Sequence, residues 1–259
     1  MTIDKSQGIT RIAPRPWLGV LVFIAYLAVF CTIWAINGVD YAHLSDNADT
    51  VARWIVAPLV GGAIVLIVAM SVLGWWRPAL VETKKRYPAW MWIFPGAMVV
   101  LAVVGIVLGD HTHVTPAMWL LLVVAGILVG FNEELLTRGQ AIVALRARFG
   151  EVGVWAFSTL LFSLLHVPNM FFGTGPAGIL QVGVTFLMGS MLYLTRRVAG
   201  SLFIAMFVHG LWDFSSFAGN GEFGGLIAIS GWILGVVAVI VAAIHTKRET
   251  REARAAVSA

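Results

Sequence analysis

Cysteine and charge are the scarce ingredients of this 259-residue chain. Cys31 is the one cysteine, which excludes an intrachain disulfide and leaves the redox compartment open. Charged residues make up only 12% of the chain against 59% hydrophobic ones, and the mean hydropathy is +0.90. So little charge excludes an ordinary soluble surface, and no stretch between the apolar runs is long enough to fold alone. Internal repeats and low-complexity segments are also missing. The first apolar run, Trp17 to Ile36, follows Lys5, Arg11 and Arg15. It is too long for a signal-peptide core and carries no small-residue cleavage site, so it reads as an anchor that stays in place. Phe30 before Cys31 argues against a lipoprotein cleavage box. The net charge of +4 sits in connections and tail, where it speaks to membrane orientation and not to nucleic acid.

What is present is a series of apolar runs of about 20 residues, the length that crosses a bilayer. They predict an all-α polytopic membrane protein of about eight transmembrane helices, over roughly 17–36, 51–75, 90–108, 116–134, 152–167, 177–194, 200–216 and 226–244. The expected organisation is a segment 1–16, one eight-helix domain 17–245 with its motif core at 116–216, and a charged tail 246–259. Gly219 to Glu222 reads as a turn, and Arg138, Arg146 and Arg148 as a basic amphipathic continuation of the fourth span that ends at Gly150. Basic connections fall before the first span and after the second, fourth, sixth and eighth, and the others are acidic or uncharged. That alternation predicts cytoplasmic N- and C-termini. Trp75, Trp76, Trp90, Trp92 and Trp119 lie near span ends, as interfacial aromatics do. The tail, with Glu249 and Glu252 among basic residues, reads as a solvated helix near anionic headgroups.

Few ionisable residues remain at membrane depth: Glu133 and Glu134, His166, His209 and Asp213. Such groups are rare in spans and usually face a bundle interior or a cavity for a functional reason. Glu134 and Arg138 are four apart and can pair on one helix face, a structural or orienting role. Glu133 points about 100° away from Glu134 and has no partner on its own helix, so it is free to act as a general base. His209 and Asp213 also share a face, and the acid can orient the imidazole or join it on a metal. A lone transmembrane histidine such as His166 can equally be an interhelical hydrogen-bond partner. Asp110, His111 and His113 read as solvated loop residues, and Cys31 as a small apolar one.

Other membrane hydrolases leave marks that this chain lacks. It holds no His-Glu-x-x-His zinc helix, no Gly-x-Ser-Gly accompanied by a histidine, and no pair of aspartates within spans. Glu133-Glu134-x-x-x-Arg138-Gly139, then Phe162-x-x-x-His166, then His209-x-x-x-Asp213 instead resembles the CAAX protease and bacteriocin-processing family, the ABI family, which includes the Ras-converting prenyl endopeptidases. The resemblance covers about half the chain. It implies an intramembrane endopeptidase, a metalloprotease by family description, with a conical cavity opening to the cytoplasmic side and the lipid. It implies Glu133 and His166 as activators of water, and His209 with Asp213 as oxyanion stabilisers or metal ligands. A zinc ion held by His166, His209, Asp213 and Glu133 and a metal-free glutamate mechanism both fit that resemblance. Prenyl-processing members carry Asn at the position of Asp213, and an ionised Asp213 cannot donate to an oxyanion.

The expected partners are therefore the lipid bilayer and a peptide or protein substrate, lipidated or not, in a multi-pass cell-membrane protein whose short loops suit the bacterial cytoplasmic membrane. Two other classes compete: a non-proteolytic binding or immunity protein that sequesters a peptide, and a proton-coupled transporter built on the same Glu and His groups. Transporters often carry internal repeats, and none is visible here. His166, some 14 residues into the fifth span, and Glu133, late in the fourth, are not at the same depth if the fourth span ends soon after Glu133.

Overall fold

The computed structural model describes residues 10–219 and 225–258. The expected turn at 219–222 therefore lies mostly outside the described residues, as does Lys5. Among the described residues the chain is helical and has no strand, with one isolated bridge between Val81 and Ser201. Seven helical stretches are long and apolar enough to cross a membrane, and an eighth apolar helix is shorter. In chain order they are α1 (Pro16–Asn37), α2 (Ala48–Leu73), α3 (Ala89–Leu108), α4 (Pro116–Arg146), α5 (Glu151–Met170), α6 (Gly175–Ala199), the shorter α7 (Leu202–Ala218) and α8 (Gly225–Ser258). A short helix, Trp76–Leu80, lies between α2 and α3.

The decisive element is α4. Thr115 caps its start, accepting from the Met118 amide, and Pro116 takes the first helical position, where its missing N–H costs nothing. The helix does not stop after Glu134. It widens into a π turn over Leu135–Gln140 and continues to Arg146. Every residue from Glu134 to Leu145 is buried, so the expected amphipathic surface here is in fact an interior stretch. The depths now agree. Glu133 lies 13 residues before Arg146, and His166 lies 15 after Glu151 in the antiparallel α5. Both stand about 20 Å from the same end of the hairpin at 1.5 Å per residue.

The approach of α4 to α7 depends on glycine. A Cβ on Gly130 would collide with the Met206 carbonyl, and one on Gly210 with the Gly126 carbonyl. Gly126-x-x-x-Gly130 is thus a small-residue stripe that lets two backbones touch. Because backbone cannot yield, Gly130→Ala must push the helices apart. We expect it to destabilise the protein by about 1–3 kcal/mol. Thermal unfolding in detergent checks this, with Gly96→Ala as control, since a Cβ there meets nothing within 4 Å.

The end of the bundle that carries the basic connections is closed by buried ions. The Glu82 side chain is fully buried and accepts from Arg146 at 2.7 and 3.1 Å and from Arg196 at 3.3 Å, with Arg197 at 3.7 Å. Glu151 joins through Arg146 at 2.7 Å and Arg197 at 3.0 Å. The tail residue Glu249 reaches Arg197 at 3.0 Å. The last helix therefore runs on without a break through the expected tail, and that tail is docked on the bundle through Glu249 and not simply solvated. Burial alone would raise the Glu82 pKa, but the three guanidiniums outweigh it and hold the carboxyl at about 2. A depressed carboxyl pKa adds stability above its unfolded value near 4.3 and loses it as pH falls through the folded one. The stability gap between wild type and Glu82→Gln should be about 3 kcal/mol at pH 7 and should close between pH 5 and about 2, as read by unfolding in detergent.

Candidate active site

α4, α5 and α7 bring their polar residues together in the middle of the bundle. Glu134 is fully buried, and its Oε1 accepts from Arg138 at 2.8 Å and from His209 Nδ1 at 2.9 Å. Arg138 is also fully buried. It donates to Thr137 Oγ1 at 2.8 Å and lies over the Phe162 ring at 3.9 Å, a cation–π contact that takes the place of further hydrogen bonds. Thr137 in turn donates to the Glu133 carbonyl at 2.6 Å. Arg196 donates to the Arg138 carbonyl in the π turn and to Ala79 and Pro78. It holds open a widened turn of a kind that recurs at functional sites.

The pairing of Glu134 with Arg138 thus extends to a third group. Glu134, and not Asp213, holds His209 at hydrogen-bonding distance, while Asp213 Oδ2 stands 3.7 Å from His209 Nε2. Because Nδ1 donates to Glu134, Nε2 is the cavity-side nitrogen. Glu133 Oε2 lies 3.9 Å from it and has no hydrogen-bond partner among the described residues. His166 Nδ1 donates to the Phe162 carbonyl at 3.0 Å, so in the neutral ring Nε2 is an acceptor. Phe162 stands edge-to-face with both imidazoles, at 5.3 and 5.4 Å between ring centroids, and so spaces the two histidines apart.

Glu133, His166 and Asp213 line one cavity of about 80 Å³, together with Asn169 and an apolar, largely aromatic wall that includes Trp34, Tyr41, Trp54 and Phe217. The resemblance implied an opening at the end with the basic connections. The wall residues come from the opposite end: the end of α1, the α1–α2 loop, the start of α2 and the ends of α5 and α7. Below the carboxylates, α4 is packed solid from Glu134 to Leu145. Asp110 and His113 lie in the loop after α3, away from the cavity lining, and His111 packs on Trp119 at 5.3 Å.

Among the described residues no three His, Cys, Asp or Glu side chains are gathered so as to hold an ion. Phe162 stands against both rings and keeps His166 apart from His209. Sequence reasoning overlooked the glycine stripe, which was visible as Gly126-x-x-x-Gly130, and the role of Arg196, which read only as a topological charge.

Residues 115–215 match the family model described as Rce1-like, the type II CAAX prenyl endopeptidases. That stretch runs from the cap of α4 to beyond Asp213 and includes every polar residue of the cluster. A search of curated proteins finds no match.

Proposed function

We propose, on the match of residues 115–215 to the Rce1-like type II CAAX prenyl endopeptidase model, that the chain hydrolyses a peptide bond of a membrane-associated peptide or protein by glutamate-activated water. The observation that carries this reading is the asymmetry of two adjacent carboxylates. Each keeps an Oε2 without a hydrogen-bond partner among the described residues, but Glu134 is fully buried with its Oε1 held by Arg138 and His209, while Glu133 lines the cavity.

In the proposed reaction a water in the cavity gives a proton to Glu133 as its oxygen attacks the scissile carbonyl carbon. His166 Nε2, fixed as an acceptor by its bond to Phe162, orients that water through its second hydrogen. The carbonyl oxygen becomes an oxyanion. His209, doubly protonated and anchored on Glu134, donates to it from Nε2, as a preorganised donor should. Glu133 then passes its proton to the leaving nitrogen, the C–N bond breaks, and the carboxylate is restored. Asp213 helps to hold the Nε2 proton of His209 until the oxyanion forms. No step needs a metal, so cleavage by purified protein should be unchanged after exhaustive chelation. Loss of activity that returns with zinc alone would reverse this part of the reading.

The deciding experiment compares new protein termini in membranes from cells that make wild type or Glu133→Gln at equal abundance. Termini found only with wild type support an endopeptidase and name its substrates. A cellular phenotype that persists in Glu133→Gln without new termini would support peptide sequestration instead.

A further inference from the structure

The two ends of the bundle differ sharply in charge. Setting aside Lys5, which is outside the described residues, Arg53 is the only one of the 17 lysines and arginines at the end formed by the α1–α2 and α3–α4 loops, and Arg138 is the only one in the middle. The others lie at the opposite end, in or beside the α2–α3, α4–α5 and α6–α7 connections, before α1 and along the end of α8. Lysine and arginine in short loops set orientation, and acidic residues contribute little. The basic end is therefore the cytoplasmic one.

The cavity does not reach that end. On the cytoplasmic side of Glu133 lie the buried run of α4 and the Glu82–Arg146–Arg196–Arg197 network, whose Glu82, Arg196 and Arg197 side chains are fully buried. On the other side, Tyr41 and Leu44 of the α1–α2 loop form the wall. This loop is tied to the α5–α6 connection, since the Tyr41 amide donates to the Phe172 carbonyl at 2.6 Å. Asn169 donates to Gln181, at 2.9 Å, and Gln181 to the Tyr41 hydroxyl, at 2.7 Å. Gly173, at φ +134°, sits where a Cβ would strike Asp40 and the Tyr41 amide. The two loops therefore form a built rim and not a loose cover.

We infer that the cavity opens to the extracytoplasmic face, so that the substrate is a polypeptide segment presented at the outer half of the bilayer. Its chemistry follows from the wall. No lysine or arginine lines the cavity, and its charged groups are Glu133 and Asp213. A segment that enters is apolar or aromatic against Trp34, Trp54 and Phe217, and uncharged or cationic beside the two carboxylates. A terminal carboxylate finds no cation there. This specification of substrate rests on the endopeptidase reading, but the direction of opening does not.

The test is thiol accessibility in intact cells, in a Cys31→Ser background, with a membrane-impermeant maleimide. Ala42→Cys marks the rim, Leu44→Cys the cavity wall and Lys84→Cys the basic end. Phe217→Cys repeats the wall measurement should Leu44→Cys fail to accumulate. We expect Ala42→Cys and the wall cysteine to react in intact cells, and Lys84→Cys only after permeabilisation. The reverse pattern overturns the orientation. A rim cysteine that reacts from outside beside a wall cysteine that reacts only after permeabilisation, or under neither condition, overturns the outward opening. Labelling needs no cleavage, so the result stands whether or not Glu133→Gln abolishes new termini, and failure of the protease reading is seen separately.

Discussion

Glu133→Gln should reduce cleavage by on the order of 10²–10⁴-fold, the span typical for a positioned general base, with abundance and unfolding temperature close to wild type. The amide has the shape of the carboxylate but no basic oxygen, so it cannot accept the proton of water. Because Glu133 Oε2 makes no hydrogen bond among the described residues, the exchange breaks no contact that holds the bundle. Asp213→Asn is the informative companion. Asp213 lines the same cavity but stands 3.7 Å from His209 Nε2, and the amide that replaces it can itself donate to an oxyanion. Its loss should stay within about tenfold, or 1.4 kcal/mol of transition-state stabilisation. The two cavity carboxylates are thus separated by one measured ratio. Were both changes to abolish cleavage equally with folding intact, Asp213 and not Glu133 alone would have to carry the base. Were neither to matter, the water-activation scheme would fail.

This division of labour was only partly legible in the sequence. The spans could be read because a bilayer imposes length and apolarity on each helix separately, and α1 to α8 follow that reading closely. The pairing of Glu134 with Arg138 could be read because four residues make one helical turn. What could not be read depends on contacts between distant segments. Nothing local says that Glu134 rather than Asp213 holds His209, because that choice depends on how close α4 comes to α7, and two backbones in contact at Gly126, Gly130 and Gly210 set this distance. The depth of His166 relative to Glu133 looked inconsistent for a similar reason. Arg138 and Gly139 resemble the end of a span, but Arg196 reaches across from α6 to the Arg138 carbonyl and allows the helix to widen and continue. Arg146, Arg196, Arg197 and Glu82 served well as indicators of orientation. Their burial as a network was invisible, since a charge in a short connection looks the same whether water or another side chain neutralises it.

The second large effect separates stability from orientation at Glu134. Glu134→Ala removes the counter-charge of a fully buried guanidinium and should destabilise the protein by about 3–5 kcal/mol, since the remaining Arg138 stays buried and unpaired. Its Nε and Nη2 already lack partners among the described residues, so little local compensation exists. Activity falls too, but a misfolded fraction would explain that equally well. Glu134→Leu combined with Arg138→Met resolves the ambiguity. Replacing a whole buried ion pair by apolar side chains of similar volume is often neutral or better, and Met fits beside Phe162 where the guanidinium lay. The unfolding temperature of the double variant should therefore recover toward wild type, while cleavage stays low. His209 Nδ1 loses the acceptor that it has at 2.9 Å, the ring is no longer fixed, and Nε2 is no longer aimed at the oxyanion. Recovery of both stability and cleavage would show that Glu134 serves only to neutralise Arg138. Recovery of stability alone assigns Glu134 the positioning of His209, which makes the buried ion pair part of the catalytic geometry.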